Sequence, residues 1–191
     1  MNGFKWLNES NVEVMTEDSL EMTALPKSDF FVNPENEEVT ENGAFYYRDV
    51  TGDFVLRAKV SPDFRGIYDA GCLFFLKDST LWGKLCFEKT DIGTQSVVSV
   101  VTKGLSDDAN GVNIDGGTVY LQMVRKGDLF GFHYSYNGED FFMARYFGMD
   151  CGPSVKVGFV AQSPLGEGTS VLFEEISLGE IQAKNVRSGE V

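Results

Sequence analysis

Short apolar–polar alternations, cut by turn signals, constrain this chain more than any other feature. From Asp53 the sequence reads Asp-Phe-Val-Leu-Arg-Ala-Lys-Val, so Phe54, Leu56, Ala58 and Val60 share one face and Arg57 and Lys59 the other. A repeat of two belongs to a strand, whose successive side chains point to opposite sides. Trp82 to Glu88 alternates in the same way, with Leu85 and Phe87 together. Ser96 to Val101 is apolar and β-branched and reads as a more deeply buried strand. Further strands are predicted over 118–124, 129–136, 140–147, 154–162 and 169–178. Short strand-like pieces at Trp6-Leu7, Val12–Val14 and Leu20–Ala24 are expected to cover sheet edges. No stretch of a dozen residues carries a helical period.

The turns support this reading. Arg125-Lys126-Gly127-Asp128 and Tyr136-Asn137-Gly138-Glu139 each predict a tight hairpin, Asn-Gly being suited to positive φ at both central positions. The strands from 118 to 147 therefore form an antiparallel meander. With 21 Gly, 16 Phe and only 5 Pro the composition suits many strands and tight turns. The fold class is all-β, a two-sheet antiparallel sandwich or a barrel. A chain of 191 residues suits one domain and buries roughly 70% of its unfolded surface. Residues 1–180 are expected to form that domain and 181–191 a polar C-terminal tail. Pro34 to Gly43 reads as an acidic loop and Ser106 to Gly117 as a polar one.

Charge removes whole classes of partner. Sixteen Lys and Arg stand against 29 Asp and Glu, a net charge of −13, which repels nucleic-acid phosphate and anionic membranes. No apolar run approaches the ~20 residues of a membrane span. Met1 to Trp6 lacks the apolar stretch and cleavage site of a secretory leader. Cys72, Cys86 and Cys151 have no C-x-x-C spacing, which predicts reduced thiols and no zinc site. A cytoplasmic location is the expectation.

The order of several segments carries a family resemblance. Trp6 and Leu20-Glu21-Met22 lead to Lys27-Ser28-Asp29-Phe30-Phe31 and Pro34. Asn42–Tyr47, Val50–Phe54 and Tyr68–Gly71 follow, then Trp82-Gly83-Lys84 with Glu88 six residues after the Trp. Ser96–Val98, Ser106–Asp108, Arg125, Tyr134-Ser135 with Asn137-Gly138, Arg145–Phe147 and Val157–Pro164 complete the pattern. This resembles the regulation-of-enolase-protein-like family, a domain of unknown function among the concanavalin A-like lectins and glucanases, over residues 4 to 178. Cys72, where another Gly is expected, and Asn137, where Asp is usual, depart from the pattern. The resemblance implies a jelly-roll sandwich of two curved sheets with one concave face. It implies no chemistry, since one fold hosts many functions.

Trp82, Lys84 and Glu88 share strand parity and point to one face. An exposed Trp offers a flat platform to a sugar ring, and a cation and a carboxylate can bond its hydroxyls. Tyr46 shares parity with Arg48 on an earlier strand, and Asp69 and Arg145 are candidates to join from others. The expected ligand-binding set is therefore Tyr46, Asp69, Trp82, Lys84, Glu88 and Arg145 on the concave face. The competing reading of the same residues is a cross-strand salt network of Lys84, Glu88 and Arg145 on an empty face.

Catalysis fares less well. Glycoside hydrolysis needs two carboxylates about 5–10 Å apart. No Glu here has an Asp two residues on, so the Glu-x-Asp-x-Glu motif of the superfamily's glucanases is missing. The one histidine, His133, shares parity with Ser135, but i and i+2 side chains on a strand lie about 6–7 Å apart, too far to touch. Asp107, Asp108, Asn110, Asn113 and Asp115 offer oxygen to calcium but lack EF-hand spacing, and a solvated loop explains them. No strand, Gly-rich loop and helix unit exists for a nucleotide. The expectation is a non-catalytic module binding a carbohydrate or similar polar small molecule, without cofactor, metal, nucleic acid or membrane. A regulatory domain that binds a protein partner is the alternative, and a glycan-active enzyme with a non-standard carboxylate pair is weaker.

Overall fold

The computed structural model describes residues 3–10 and 12–191; Met1, Asn2 and Asn11 lie outside the described residues. In chain order the first strands are β1 (Lys5–Leu7), β2 (Val12–Met15), β3 (Leu20–Thr23), β4 (Phe30–Val32) and β5 (Val39–Glu41). Longer ones follow: β6 (Ala44–Thr51), β7 (Phe54–Pro62), β8 (Ala70–Asp78), β9 (Leu81–Lys89), β10 (Gln95–Lys103) and β11 (Leu105–Asn113). Then come β12 (Val119–Lys126), β13 (Leu129–Ser135), β14 (Phe142–Gly148), β15 (Ser154–Gln162) and β16 (Ser170–Gly179). The fold is an all-β jelly-roll sandwich of two seven-stranded antiparallel sheets. One has the order β1-β6-β15-β8-β9-β10-β11, the other β14-β13-β12-β7-β16-β3-β2. A separate hairpin pairs β4 with β5.

Alternation explains how the sheets meet. Phe54, Leu56, Ala58 and Val60 of β7 join Leu85 and Phe87 of β9 in the core between the sheets. Gly71 lets the facing sheet pack close against it: a Cβ there would lie 2.4 Å from Val171 and 2.7 Å from Val60 of that sheet. The first sheet is also covered on its outer face. Phe45, Cys72, Phe74, Trp82, Cys86, Val98 and Val160 form a second apolar cluster beneath Phe30 and Val32 of the β4–β5 hairpin. Strands of this sheet are therefore buried on both sides, as the burial of β8 from Ala70 to Phe75 shows.

Several sequence expectations meet a different structure. β8 is an almost unbroken apolar run with no alternation, and no strand is predicted there. β11 occupies the predicted polar loop: it is an exposed edge strand whose pairing with β10 supplies what its side chains do not. The acidic loop of residues 34–43 contains β5, half of the covering hairpin. Gly127-Asp128 makes the predicted two-residue turn. The Asn137-Gly138 segment does not: six residues separate β13 from β14. Gly138 has φ 79°, and the Asn137 Oδ1 accepts the backbone N–H groups of Glu139 and Asp140 at 3.0 and 2.9 Å. The Asn side chain closes this loop by itself, so the backbone needs no second residue at positive φ.

The expected polar tail is folded against the second sheet. Ala183 and Val186 pack on Val55 and Val124. Gln122 donates to the Gly189 carbonyl at 3.0 Å, and His133 Nε2 lies 3.2 Å from the Arg187 carbonyl. No residue among those described lies in a helix long and apolar enough to cross a membrane.

Candidate functional site

Four residues of β9 point outward from the sandwich: Trp82, Lys84, Cys86 and Glu88. The pairing register places them opposite Thr102, Val100, Val98 and Ser96 of β10 and against Leu76, Phe74, Cys72 and Ala70 of β8. The predicted common face of Trp82, Lys84 and Glu88 is thus real, but the hairpin divides it. At one end Trp82 is fully buried, with ring centroids of Phe74 and Phe30 at 5.6 and 6.4 Å. Trp82 is therefore a core residue and cannot be a stacking platform. Its indole N–H is buried without a partner among the described residues. At the other end the hairpin leaves an opening.

That opening is a cavity of about 390 Å³, a size suited to a small ligand. Lys84, Glu88, Val100 and Gln162 line it from the sheet. Asp29, Phe31 and Asn33 come from the hairpin strand and its flanks, Tyr68 and Leu165 from neighbouring loops, and Asp108 from edge strand β11. A hollow of about 670 Å³ lies on the other sheet beside Arg57 and Phe141, larger but more open. Its lining holds no fully buried charged side chain, so the smaller cavity is the better chemical candidate.

Lys84 is the anchor. It is 2% exposed, and its Nζ donates to Asp29 Oδ1 at 2.7 Å and to Gln162 Oε1 at 2.9 Å. Burial works against its charge, but Asp29 overrides it and holds the ammonium above the ordinary lysine range. The pair ties hairpin to sheet. Glu88 is the opposite case. It is 8% exposed, and among the described residues no donor is hydrogen-bonded to its carboxylate. Burial pushes this carboxyl up to about 8, Lys84 partly opposing the rise and Asp108, Asp29 and Asp91 adding to it. Burial likewise raises Asp108 despite Lys84. At neutral pH Glu88 is mostly an uncharged acid, able to donate one hydrogen bond and accept others. Beneath them Cys72 and Cys86 face each other across the strands, and burial with the neighbouring Cys72 pushes the Cys86 thiol well up, leaving it unreactive.

The other expected residues lie elsewhere. Tyr46 faces the core between the sheets and stacks on Phe4 at 5.1 Å. Arg48 shares its parity and pairs with Glu180 at 3.2 Å. Asp69 is fully buried as a loop fastener, accepting from Ser163 Oγ and from the Gly66 N–H, both at 2.6 Å. Its neighbour Tyr68, held at φ 65°, is the residue of that loop which reaches the cavity. Arg145 belongs to the second sheet. It bonds Asp107 Oδ1 at 2.6 Å and the Ser99 carbonyl at 3.2 Å, closing one end of the sandwich. The alternative salt network of Lys84, Glu88 and Arg145 does not form either.

Asp29, Tyr68, Asp108 and Gln162 are the cavity residues that the sequence reading leaves out of its site. The available signal was that all four sit inside segments carrying the family pattern: Asp29-Phe30-Phe31, Tyr68-Asp69, Ser106-Asp107-Asp108 and Ala161-Gln162. His133 lies on the second sheet beneath residues 187–189, next to Gln122, and the Ser135 hydroxyl is engaged by Asn137. Among the described residues no three His, Cys, Asp or Glu side chains are grouped to hold a metal ion.

Solved structures with this architecture span several proteins. A functionally unknown protein from Saccharomyces cerevisiae is 21% identical, with a TM-score of 0.88 over 95% of this chain and 98% of that one. The carbohydrate binding module CBM66 from Bacillus subtilis is 14% identical, with a TM-score of 0.61 over 94% and 97% of the two chains. The GH43 BlXynB protein from Bacillus licheniformis is 12% identical at a TM-score of 0.67; the match takes in 84% of this chain but only 32% of that one. No curated protein matches the sequence. The profile of one family, described as protein of unknown function (DUF1349), matches residues 6–181, and the chain belongs to that family.

Proposed function

We propose that this protein is a non-catalytic binding module for a carbohydrate or a similar polar small molecule, taken up in the cavity between the β4–β5 hairpin and the outer face of the first sheet. The observation that carries the reading is Glu88, nine-tenths buried, lining a cavity of about 390 Å³ with no hydrogen-bond partner among the described residues. A buried carboxyl with no protein donor is open to a hydrogen bond from whatever fills the cavity, and a ligand hydroxyl can supply it. Tyr68, Asn33 and Gln162 add further polar groups, while Phe31, Val100 and Leu165 offer apolar contact to a sugar's carbon face. The likeness in fold to a carbohydrate binding module supports the same reading. Lys84 and Asp29 organise the site, in that their ion pair fixes the hairpin over the sheet.

A thermal-shift screen against mono- and oligosaccharides tests this. A ligand at 100 times its dissociation constant adds about 2.7 kcal/mol of stability. A hit that disappears in Glu88→Ala supports the proposal; a hit unaffected by Glu88→Ala moves the site elsewhere. A second reading, docking of a protein partner, draws on edge strand β14 and its approach, where Tyr136, Phe142, Met143 and Tyr146 are exposed by 58, 48, 41 and 43%. A blank sugar screen with a partner whose binding is lost in Tyr146→Asp would favour it.

A further inference from the structure

With Glu88 ionised, the charges around the cavity do not balance. Among the described residues Lys84 is the one cation lining it, and its ammonium is already committed to Asp29 and Gln162. Glu88 and Asp108 remain without an ion pair among the described residues, and Asp91 adds to the negative field at Glu88. Arg145 from the other sheet acts on Asp108 through space but is paired with Asp107. Glu88 is the buried member of this set, and it lines the cavity with no hydrogen-bond donor on its carboxyl among the described residues.

We infer that the ligand carries a protonated amine that pairs with Glu88, which makes an amino sugar, rather than a neutral one, the form of carbohydrate this cavity selects. The inference rests on the proposed carbohydrate reading and narrows it. A bare metal ion would relieve the same charge, but the carboxylates are not grouped closely enough to coordinate one. An organic ammonium needs only one close carboxylate, with the others acting through space. It also gains from aromatic faces, and Phe31 and Tyr68 stand at the cavity wall. Val100 and Leu165 provide apolar contact for a carbon skeleton that a metal ion would not use.

Proton linkage gives the inference its own signature. Six groups act on Glu88: Lys84 and the Cys86 thiol on its own strand, Asp108 from β11, Asp29 before β4, Asp91 in the following loop, and the Tyr68 hydroxyl. Of these only Lys84 favours the ionised form, so Glu88 is mostly protonated at neutral pH and an arriving ammonium must displace that proton.

The test is titration calorimetry with matched pairs, glucosamine against glucose and galactosamine against galactose, with putrescine as a sugar-free amine, in two buffers of different ionisation enthalpy. Each amino sugar is expected to bind about tenfold to a hundredfold tighter than its hydroxyl partner, the range of one charge-assisted hydrogen bond. About one proton should be released to buffer on binding. Glu88→Gln should remove both the preference and the proton release, and Asp108→Asn should weaken the preference only in part. Equal affinity within each pair overturns the inference and leaves the carbohydrate reading standing. Putrescine binding without any sugar binding overturns the carbohydrate reading and keeps ammonium recognition. Silence from every probe overturns both.

Discussion

Replacing Glu88 by Gln should make this protein more stable. Gln keeps the shape of a protonated Glu and removes its titration. In the unfolded chain a Glu titrates near 4.5, and in the folded protein burial lifts Glu88 to about 8. The folded state therefore holds the proton more tightly, and wild-type stability falls as pH rises through the window from 4.5 to about 8. At about 1.36 kcal/mol per unit the ceiling on that loss is about 5 kcal/mol, of which about 3 kcal/mol is lost by pH 7. Glu88→Gln should therefore gain about 3 kcal/mol over wild type at pH 7 and less than about 0.5 kcal/mol at pH 4. Urea unfolding of both proteins across this range measures it, and the difference between the two curves cancels the titrating groups that do not interact with Glu88. Asp108, raised in the same direction, and His133, lowered by burial, stay in both proteins. A difference that is flat with pH, or a variant no more stable than wild type at pH 8, would refute the claim that Glu88 sits unmet in a low-dielectric cavity.

Other outcomes follow from the same geometry. Trp82→Ala should cost about 3–5 kcal/mol by denaturant unfolding, because the indole fills the space between Phe30 and Phe74; a loss under about 1 kcal/mol would place the ring at the surface. Lys84→Met strands Asp29 and Gln162 and should cost about 3–5 kcal/mol, whereas the double variant Lys84→Met with Asp29→Leu should lose less than the two single variants combined. Gly131→Ala would place a Cβ 2.3 Å from the Val186 carbonyl, so it should lift the C-terminal segment and speed tryptic cleavage at Lys184 and Arg187; an unchanged cleavage rate would mean that the segment does not depend on that contact.

Legibility of the chain followed burial. Where one face is solvated, as in β7, alternation announced the strand and its inward residues correctly. Where both faces are covered, as in β8, the pattern vanished, because an apolar run has no period to read. β11 failed for the converse reason: its side chains are nearly all exposed, and only its backbone pairing makes it a strand. The site behaved similarly. Strand parity put Lys84 and Glu88 on one face without any structure, since parity is local. What covers that face is not local. Phe30 lies 52 residues before Trp82 and Asp29 55 before Lys84, so nothing near Trp82 could show it as core rather than platform. Arg145 and Tyr46 were misplaced for want of the facing: parity groups residues on one strand but does not say which sheet or which side they serve.

The most direct test of the account is a ¹⁵N NMR titration of the intact chain with the sugar panel, read residue by residue. A bound sugar should shift the amides of Asp29, Asn33, Tyr68, Lys84, Glu88, Asp108 and Gln162 together and leave the His133 region still. Binding that instead moves β14 or the C-terminal segment, with Lys84 and Glu88 unchanged, would contradict it.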